Sequence, residues 1–259
     1  MESIADFSLD LFSLKGKNAI VTGGNMGLGR AFSLALAKAG ANVFTPGIKE
    51  DDGTTARLIE ETGARHVFTQ IDLTEKGAPQ RIIETCVSEL GGLDVLINSA
   101  GICLIADVLE FDRSYWDPMI DLNLNCAFAL SHEAAKIMIP QRRGKIINIC
   151  SLFSFLGGLG SPAYAAMKHG LAGLTKAYCD ELAKYNIQVN GIAPGYFATD
   201  ITKATRENEA ADRRITEHIP TGRWGELHDL MGAVVFLASA ASDYVNGHLL
   251  VVDGGYLVR

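Results

Sequence analysis

The sequence predicts an α/β fold: one doubly wound domain over residues 1–259, with a seven-stranded parallel sheet and helices on both faces. Three observations predict it. Short apolar runs alternate with longer helical ones from end to end. No Pro/Ser-rich linker, internal repeat or change of composition divides the 259 residues. Residues able to do chemistry recur just after the apolar runs, where an open parallel sheet places its ligands. Strands joined by helical crossovers make a parallel sheet, and such a sheet needs both faces covered.

The elements follow in order. NAIVT (18–22) reads as a strand, and GRAFSLALAKAG (29–40) as a helix that stops at Gly40. ANVFTP (41–46) is the second strand, with a polar helix after it running through Glu60. HVFTQID (66–72) and LDVLIN (93–98) are the third and fourth, separated by a helix around APQRIIETCVSEL (78–90). A long helix spans residues 116–139, and KIINIC (145–150) is the fifth strand. A helix over 162–184 leads to IQVNGIA (187–193); the tail adds a helix in DLMGAVVFLAS (229–239) and the last strand, HLLVVD (248–253). Residues 1–13 are an N-terminal extension.

Composition narrows the function. The formal charge is −7, from 23 basic and 30 acidic residues, which argues against a nucleic-acid or anionic-membrane surface. The start, MESIADFSLDLFSLKGK, lacks the basic beginning and apolar run of a signal peptide, so a cytoplasmic location is expected. Cys86, Cys103, Cys126, Cys150 and Cys179 are scattered without CxxC spacing, as reduced thiols are. None of the six histidines stands at metal-ligand spacing from another ligand, so no metal is expected. The uncharged stretch IINICSLFSFLGGLGSPAYAAM (146–167) is long enough to cross a bilayer, yet Gly157, Gly158, Gly160 and Pro162 interrupt it. Asn148, Ser151, Ser154 and Ser161 also make it polar, so it reads as a strand, a loop and the start of a helix.

TGGNMGLG (22–29) lies between the first strand and the first helix. Gly23, Gly27 and Gly29 let the backbone turn tightly and approach a ligand, and the helix N-terminus behind them offers N–H groups to a pyrophosphate. The same glycines would also ease packing of strand on helix; their place after the first strand favours the phosphate. Asn25, Met26 and Leu28 complete the loop. An acid at the end of the second strand favours NAD and an arginine nearby favours NADP. Here the acid's place falls near Gly47, followed by Ile48 and Lys49, and Met26 stands where a basic residue would meet a 2′-phosphate. The expectation leans to NAD, with NADP as the alternative that Lys49 supports. Asp72, followed by Leu73, is placed to reach an adenine or to cap a turn.

Ser161 and Pro162 have the character of a helix N-cap and first residue. Tyr164 then sits in the first turn, with Lys168 one turn on along the same face. A phenol with its ordinary pKa of about 10 exchanges protons poorly at neutral pH. A lysine cation and the positive helix end both favour phenolate, more so in uncharged surroundings. Ser151, ending the preceding strand, is placed to donate a hydrogen bond to a carbonyl oxygen beside that phenol. A tyrosine and lysine at this spacing also occur as packing residue and surface charge; the serine and the glycine loop tip the reading toward chemistry.

Together these residues resemble the short-chain dehydrogenase/reductase family over residues 12–259, on a Rossmann-type domain. The glycine motif is Thr22, Gly23, Gly27 and Gly29; the Asn-Asn-Ala-Gly motif appears as Asn98, Ser99, Ala100 and Gly101. The resemblance implies a catalytic set of Asn123, Ser151, Tyr164 and Lys168. It implies that Asn98, Ala100, Gly101, Pro194, Gly195 and Thr199 join the glycine loop, Asp72, Leu73, Tyr164 and Lys168 at the cofactor. It also implies hydride delivery from NAD(P)H to a carbonyl carbon while Tyr164 protonates the oxygen, with Ser151 holding that oxygen. Lys168 would lower the tyrosine pKa and bind the nicotinamide ribose, Asn123 would support a water chain to Lys168, and Thr199 would bind the nicotinamide amide. IAPGYFATDIT, IPTGRWGELHDLMGAVVFLAS and SDYVNGHLLVVDGGYLVR resemble the bacterial sugar-acid branch. That branch comprises gluconate 5-dehydrogenase, 2-deoxy-D-gluconate 3-dehydrogenase and 2-dehydro-3-deoxy-D-gluconate 5-dehydrogenase. A homotetramer packed through the long central helix and the Tyr164 helix is implied as well.

Substrate choice is expected in residues 195–225, a long charge-rich connection of the kind that forms a lid. Arg206, Arg213 and Arg214 are candidates to grip a carboxylate, or else pair with Glu207, Glu209 and Asp212 on a solvated helix. Ser154 is a further candidate contact, and Cys103 either lines the site or is a buried thiol. A 3-oxoacyl-carrier reductase using NADPH, with Arg142 and Arg143 on its docking face, is one alternative. A non-catalytic NAD(H)-binding sensor is the other.

Overall fold

The computed structural model describes residues 7–259; the first six residues of the expected extension lie outside the described residues. Its strands are β1 (Asn18–Val21), β2 (Asn42–Gly47), β3 (His66–Gln70), β4 (Val95–Asn98), β5 (Gly144–Ile149), β6 (Ile187–Pro194) and β7 (Leu249–Val252). They pair in parallel throughout, in the order β3-β2-β1-β4-β5-β6-β7. Alternate residues along each strand face opposite layers. Val21, Val43, Ile97, Ile147 and Ile192 pack with Phe32 and Leu36 of α1 (Gly27–Lys38) and with Val234 and Leu237 of α9 (Met231–Ala238). Ile20, Phe44, Leu96, Ile146 and Val189 turn the other way. They meet Ile82 of α3 (Ala78–Leu90), Met138 of α5 (Cys126–Gln141) and Leu182 of α6 (Pro162–Leu182). Each such fully buried aliphatic or aromatic side chain contributes about 1.5–3 kcal/mol. The helix α2 (Thr54–Glu60) packs on α1.

The chain runs from β1 outward to β3, then returns to β4 on the far side of β1. That reversal opens a crevice beyond the carboxyl ends of β1 and β4, where such sheets bind ligands. The registers Val21↔Ile97, Asn98↔Asn148 and Asn148↔Gly191 bring the ends of β1, β4, β5 and β6 to one edge. A buried polar chain crosses beneath it. Asn98 Nδ2 donates to Ser131 Oγ (3.0 Å) and Asn148 Oδ1 (2.8 Å), and Asn148 Nδ2 donates to Thr175 Oγ1 on α6 (2.9 Å).

Three elements differ from the sequence reading. The long central helix starts earlier and is not continuous: α4 (Arg113–Ile120) and α5 are joined by a π-helical turn over Asp121–Asn125. There the Cys126 N–H reaches Asp121 O, five residues back. The starting signal is Asp112, whose side chain accepts from Ser114 N (2.8 Å). Ser161 does precede α6, but its hydroxyl donates to Leu104 O (2.7 Å) and caps nothing. The last helix is shorter, its first turn being a 3₁₀ turn over Leu227–Leu230. Among the described residues no helix is long and apolar enough to cross a membrane, the five cysteines are free, and no cluster suits a metal ion.

Candidate active site

The phosphate loop fits a dinucleotide by its shape. Gly23 (φ +63°) and Gly27 (φ +50°) take left-handed backbone that side chains disfavour. A Cβ on Gly29 would run into the Gly23 carbonyl, whereas the space over Gly27 is open. Met26 stands at the N-cap of α1 and makes no side-chain cap bond, so first-turn N–H groups are left for an anion. Thr22 Oγ1 accepts from Ser99 N and Ala100 N, both at 2.9 Å, and so ties this loop to the end of β4. Leu28 packs against the core beneath. Asp72 sits at the end of β3 as a turn-capping residue, accepting from Thr74 N (2.9 Å) and Thr74 Oγ1 (2.7 Å), which lower its pKa. Leu73 is buried and its carbonyl accepts from Cys126 Sγ (3.2 Å).

Ser151, Tyr164 and Lys168 converge beside that loop. Lys168 is 6% exposed, and its Nζ donates to Ile149 O and lies 5.4 Å from the centre of the Tyr164 ring. Burial brings the Lys168 pKa down to about 8. The Tyr164 phenol moves above its ordinary value: burial is the main cause, and a hydrogen bond with Ser151 opposes it. The sequence led us to expect a lowered phenol pKa. Removal from water outweighs that effect, and the ammonium is directed at a backbone carbonyl. The Phe153 ring stands edge-on to Tyr164 at 5.8 Å.

Asn123 is brought to the site, but its carboxamide is fully engaged. Its Oδ1 accepts from Ile102 N (2.9 Å), and its Nδ2 donates to Ile102 O (3.0 Å) and Met119 O (2.9 Å). It packs so closely on Gly101 that a Cβ there would overlap Oδ1. A narrow cavity lies behind the site, bounded by Thr22, Asn98, Asn123 and Lys168, and the buried Asn98 Oδ1 has no partner. Ser154, a predicted substrate contact, is buried; its hydroxyl donates to Lys168 O (2.9 Å) and accepts from Ser151 N (3.3 Å). Ala100 is half-buried at the mouth of the β4 loop.

Pro194 ends β6, and Gly195 approaches β7 so closely that a Cβ would lie 2.7 Å from Asp253 Cα. Beyond it the backbone bridge Phe197↔Gly225 closes the neck of the expected lid, which carries α7 (Lys203–Glu207) and α8 (Glu209–His218). Thr199 O accepts from Arg206 (3.1 Å), whose Nε is buried without a partner. Arg213 pairs with Glu217 on the exposed face of α8 (3.3 Å). The Arg214 charge acts on the Tyr196 phenol, which burial and Tyr256 push up to about 12. Sequence reasoning missed this aromatic group: Tyr196 lies 5.2 Å from Tyr256 and 5.5 Å from Trp224, and Tyr256 lies 4.3 Å from His218. The available signal was a tyrosine directly after Pro194-Gly195 and another after Gly254-Gly255. Cys103 is partly buried, 4.0 Å from Ser161 Oγ, with a raised pKa.

Residues 23–257 match the family described as Enoyl-(Acyl carrier protein) reductase. The chain is similar to the uncharacterized oxidoreductase YgcW of Escherichia coli, at 66% identity over 100% of this chain and 99% of that protein. It is similar to the 2-dehydro-3-deoxy-D-gluconate 5-dehydrogenase of the same organism, at 44% identity over 97% and 99%. Among solved structures it is similar to a gluconate 5-dehydrogenase from Burkholderia cenocepacia in complex with NADP and tartrate. That match has a TM-score of 0.93 and 37% identity, over 98% of this chain and 100% of that one.

Proposed function

This chain belongs to the short-chain dehydrogenase/reductase family and is an NAD(P)-dependent oxidoreductase acting on CH–OH groups, and from that premise we propose that its substrate is a sugar acid of the gluconate type. The observation that carries the proposal is the aromatic group at the neck of the lid, where Tyr196 lies 5.2 Å from Tyr256 and 5.5 Å from Trp224, with the Arg214 charge close enough to act on the Tyr196 phenol. Phenols suit a substrate rich in hydroxyls, and a guanidinium suits a carboxylate. The names of relatives at 44% and 42% identity support it.

When bound, the dinucleotide supplies or takes up the hydride. The chain's own groups do the rest. The α1 N-terminus and Gly23, Gly27 and Gly29 hold the pyrophosphate, and Ser151 donates to the carbonyl oxygen. Tyr164, kept protonated by its raised pKa, gives its proton to that oxygen in reduction and regains one in oxidation. Lys168, near pKa 8, is mostly charged at neutral pH and recharges the phenol. The buried, unpartnered Asn98 Oδ1 offers an acceptor to a water in the cavity behind Lys168, which would extend that path.

For the cofactor we favour NAD(H). Among the described residues no guanidinium stands free at the ribose end, because Arg30 is engaged by Asn25 O, Thr55 Oγ1 and Asp52. The NADP in a relative's structure and the adjacent Lys49 make NADP(H) the second reading. The cytoplasmic homotetramer packed through α5 and α6 stays part of this reading, and the exposed Phe128, beside His132 and Tyr178, is an apolar contact that such packing would cover. The carrier-reductase alternative keeps Arg142 and Arg143 on the surface, where Arg142 donates to Lys184 O (3.1 Å) and Arg143 pairs with Asp94 (3.2 Å).

The test is the change in nicotinamide absorbance with aldonates, keto-deoxy-aldonates and neutral sugars, each with NAD(H) and NADP(H). Turnover confined to the acids is expected. Equal turnover of neutral sugars defeats the substrate proposal.

A further inference from the structure

The geometry points to Asn25, and not to a residue at the end of β2, as the acceptor that reads the 2′-hydroxyl of the adenosine ribose; this rests on the dinucleotide reading of the crevice. In open sheets of this kind an acid about twenty residues beyond the glycine motif accepts from that hydroxyl. Here β2 ends at Gly47, which has no side chain to offer. Its place is taken. A Cβ on Gly47 would lie 3.1 Å from Asn25 Oδ1 and 3.8 Å from Asn25 Cγ.

The carboxamide is held in one orientation. Asn25 is 4% exposed, and its Nδ2 donates to Lys49 O (2.9 Å) and lies 3.5 Å from Glu50 O. Exchanging the nitrogen and oxygen would set an acceptor against two carbonyls. Oδ1 is therefore the end turned toward Gly47, and among the described residues no donor reaches it. The backbone is fixed from behind, since Asn25 O accepts from the Arg30 guanidinium (2.6 and 3.0 Å) and from Thr55 Oγ1 (3.1 Å). The side chain is held firmly and its acceptor has no protein donor, so it stands free to accept one from a ligand. The ribose hydroxyl is such a donor. Because the acceptor is an uncharged amide, a 2′-phosphate meets a dipole instead of a carboxylate, so NADP(H) is disfavoured but not barred.

The probes are NADH and its analogue lacking the adenosine 2′-hydroxyl, titrated onto the full-length protein by nicotinamide fluorescence. The wild type should bind the analogue about fivefold more weakly, the worth of one neutral hydrogen bond. Asn25→Ala should bind the two equally. Since Asn25 also ties down the loop after β2, Gly47→Ala is the second variant. Gly47 has no positive φ, and a methyl 3.1 Å from Oδ1 covers the acceptor while leaving the Nδ2 contacts in place. It too should lose the discrimination. No discrimination in the wild type, or full discrimination in both variants, overturns the assignment and leaves the dinucleotide reading standing. Failure of the wild type to bind NADH and NADPH removes the dinucleotide reading and the assignment together.

Discussion

Two regions beyond the carboxyl edge of the sheet are built in opposite ways. Around Tyr164 and Lys168 the polar groups are buried and, Asn98 Oδ1 apart, matched to one another across long sequence distances. Asn98 meets Asn148 fifty residues on, and Asn148 meets Thr175 on the helix that carries Lys168. The lid has one buried residue in its two helices, Ile215. The ion pairs of those helices are exposed contacts within one helix, Lys203–Glu207 (3.8 Å) and Arg213–Glu217 (3.3 Å). Buried networks hold geometry, while segments with few buried contacts open locally and tolerate change. On the proposed function, the chemistry would rest on the rigid region and the choice of substrate on the loose one.

Substitutions can break or sharpen that contrast. The largest effect after Tyr164 itself is expected from Lys168→Met, with kcat falling by about a hundredfold or more. The same variant tests the burial of the charge. A lysine depressed to about 8 from an ordinary 10.5 holds fewer protons folded than unfolded between those values. Its burial therefore costs stability in full below pH 8, and the cost is relieved as pH rises toward 10.5. Thermal melts should show the wild type gaining on the variant across that window; a constant difference counts against a depressed lysine.

Next comes Asn148→Ala, expected to cost about 2–4 kcal/mol in urea unfolding because it removes two buried hydrogen bonds and unpairs their partners. A loss near zero would make the region no more rigid than the lid. Within the lid, Arg214→Ala should raise KM for a sugar acid about tenfold with kcat little changed, as removal of a ground-state contact does. Arg213→Ala is the smallest: KM unchanged, and stability within about 0.5 kcal/mol, as for an exposed pair. Equal KM effects in the two arginine variants would remove the distinction drawn between them.

The same contrast sets what was legible in the sequence. The strands were readable because both faces of a parallel sheet are buried, which writes apolar runs such as Val95–Ile97 into the chain. Tyr164 and Lys168 were readable because their relation is local, one helical turn. The engagement of Asn123 by Ile102 and of Ser154 by Lys168 O was not, since each depends on how distant segments close on one another. The π-helical turn at Asp121–Asn125 left no periodic signal, because five residues of altered winding barely disturb the pattern on either side. The direction of the Tyr164 pKa was misjudged for a related reason. Spacing shows the lysine one turn away, but it shows neither the depth of burial nor the carbonyl that takes the ammonium.

The most direct measurement is the turnover of Tyr164→Phe beside its affinity for NADH. Its kcat is expected to fall by about a thousandfold, within the range for losing a positioned proton donor, with NADH bound as tightly as before. A variant that reduces substrate near the wild-type rate would contradict it, and the rigid region would then have to find its proton elsewhere.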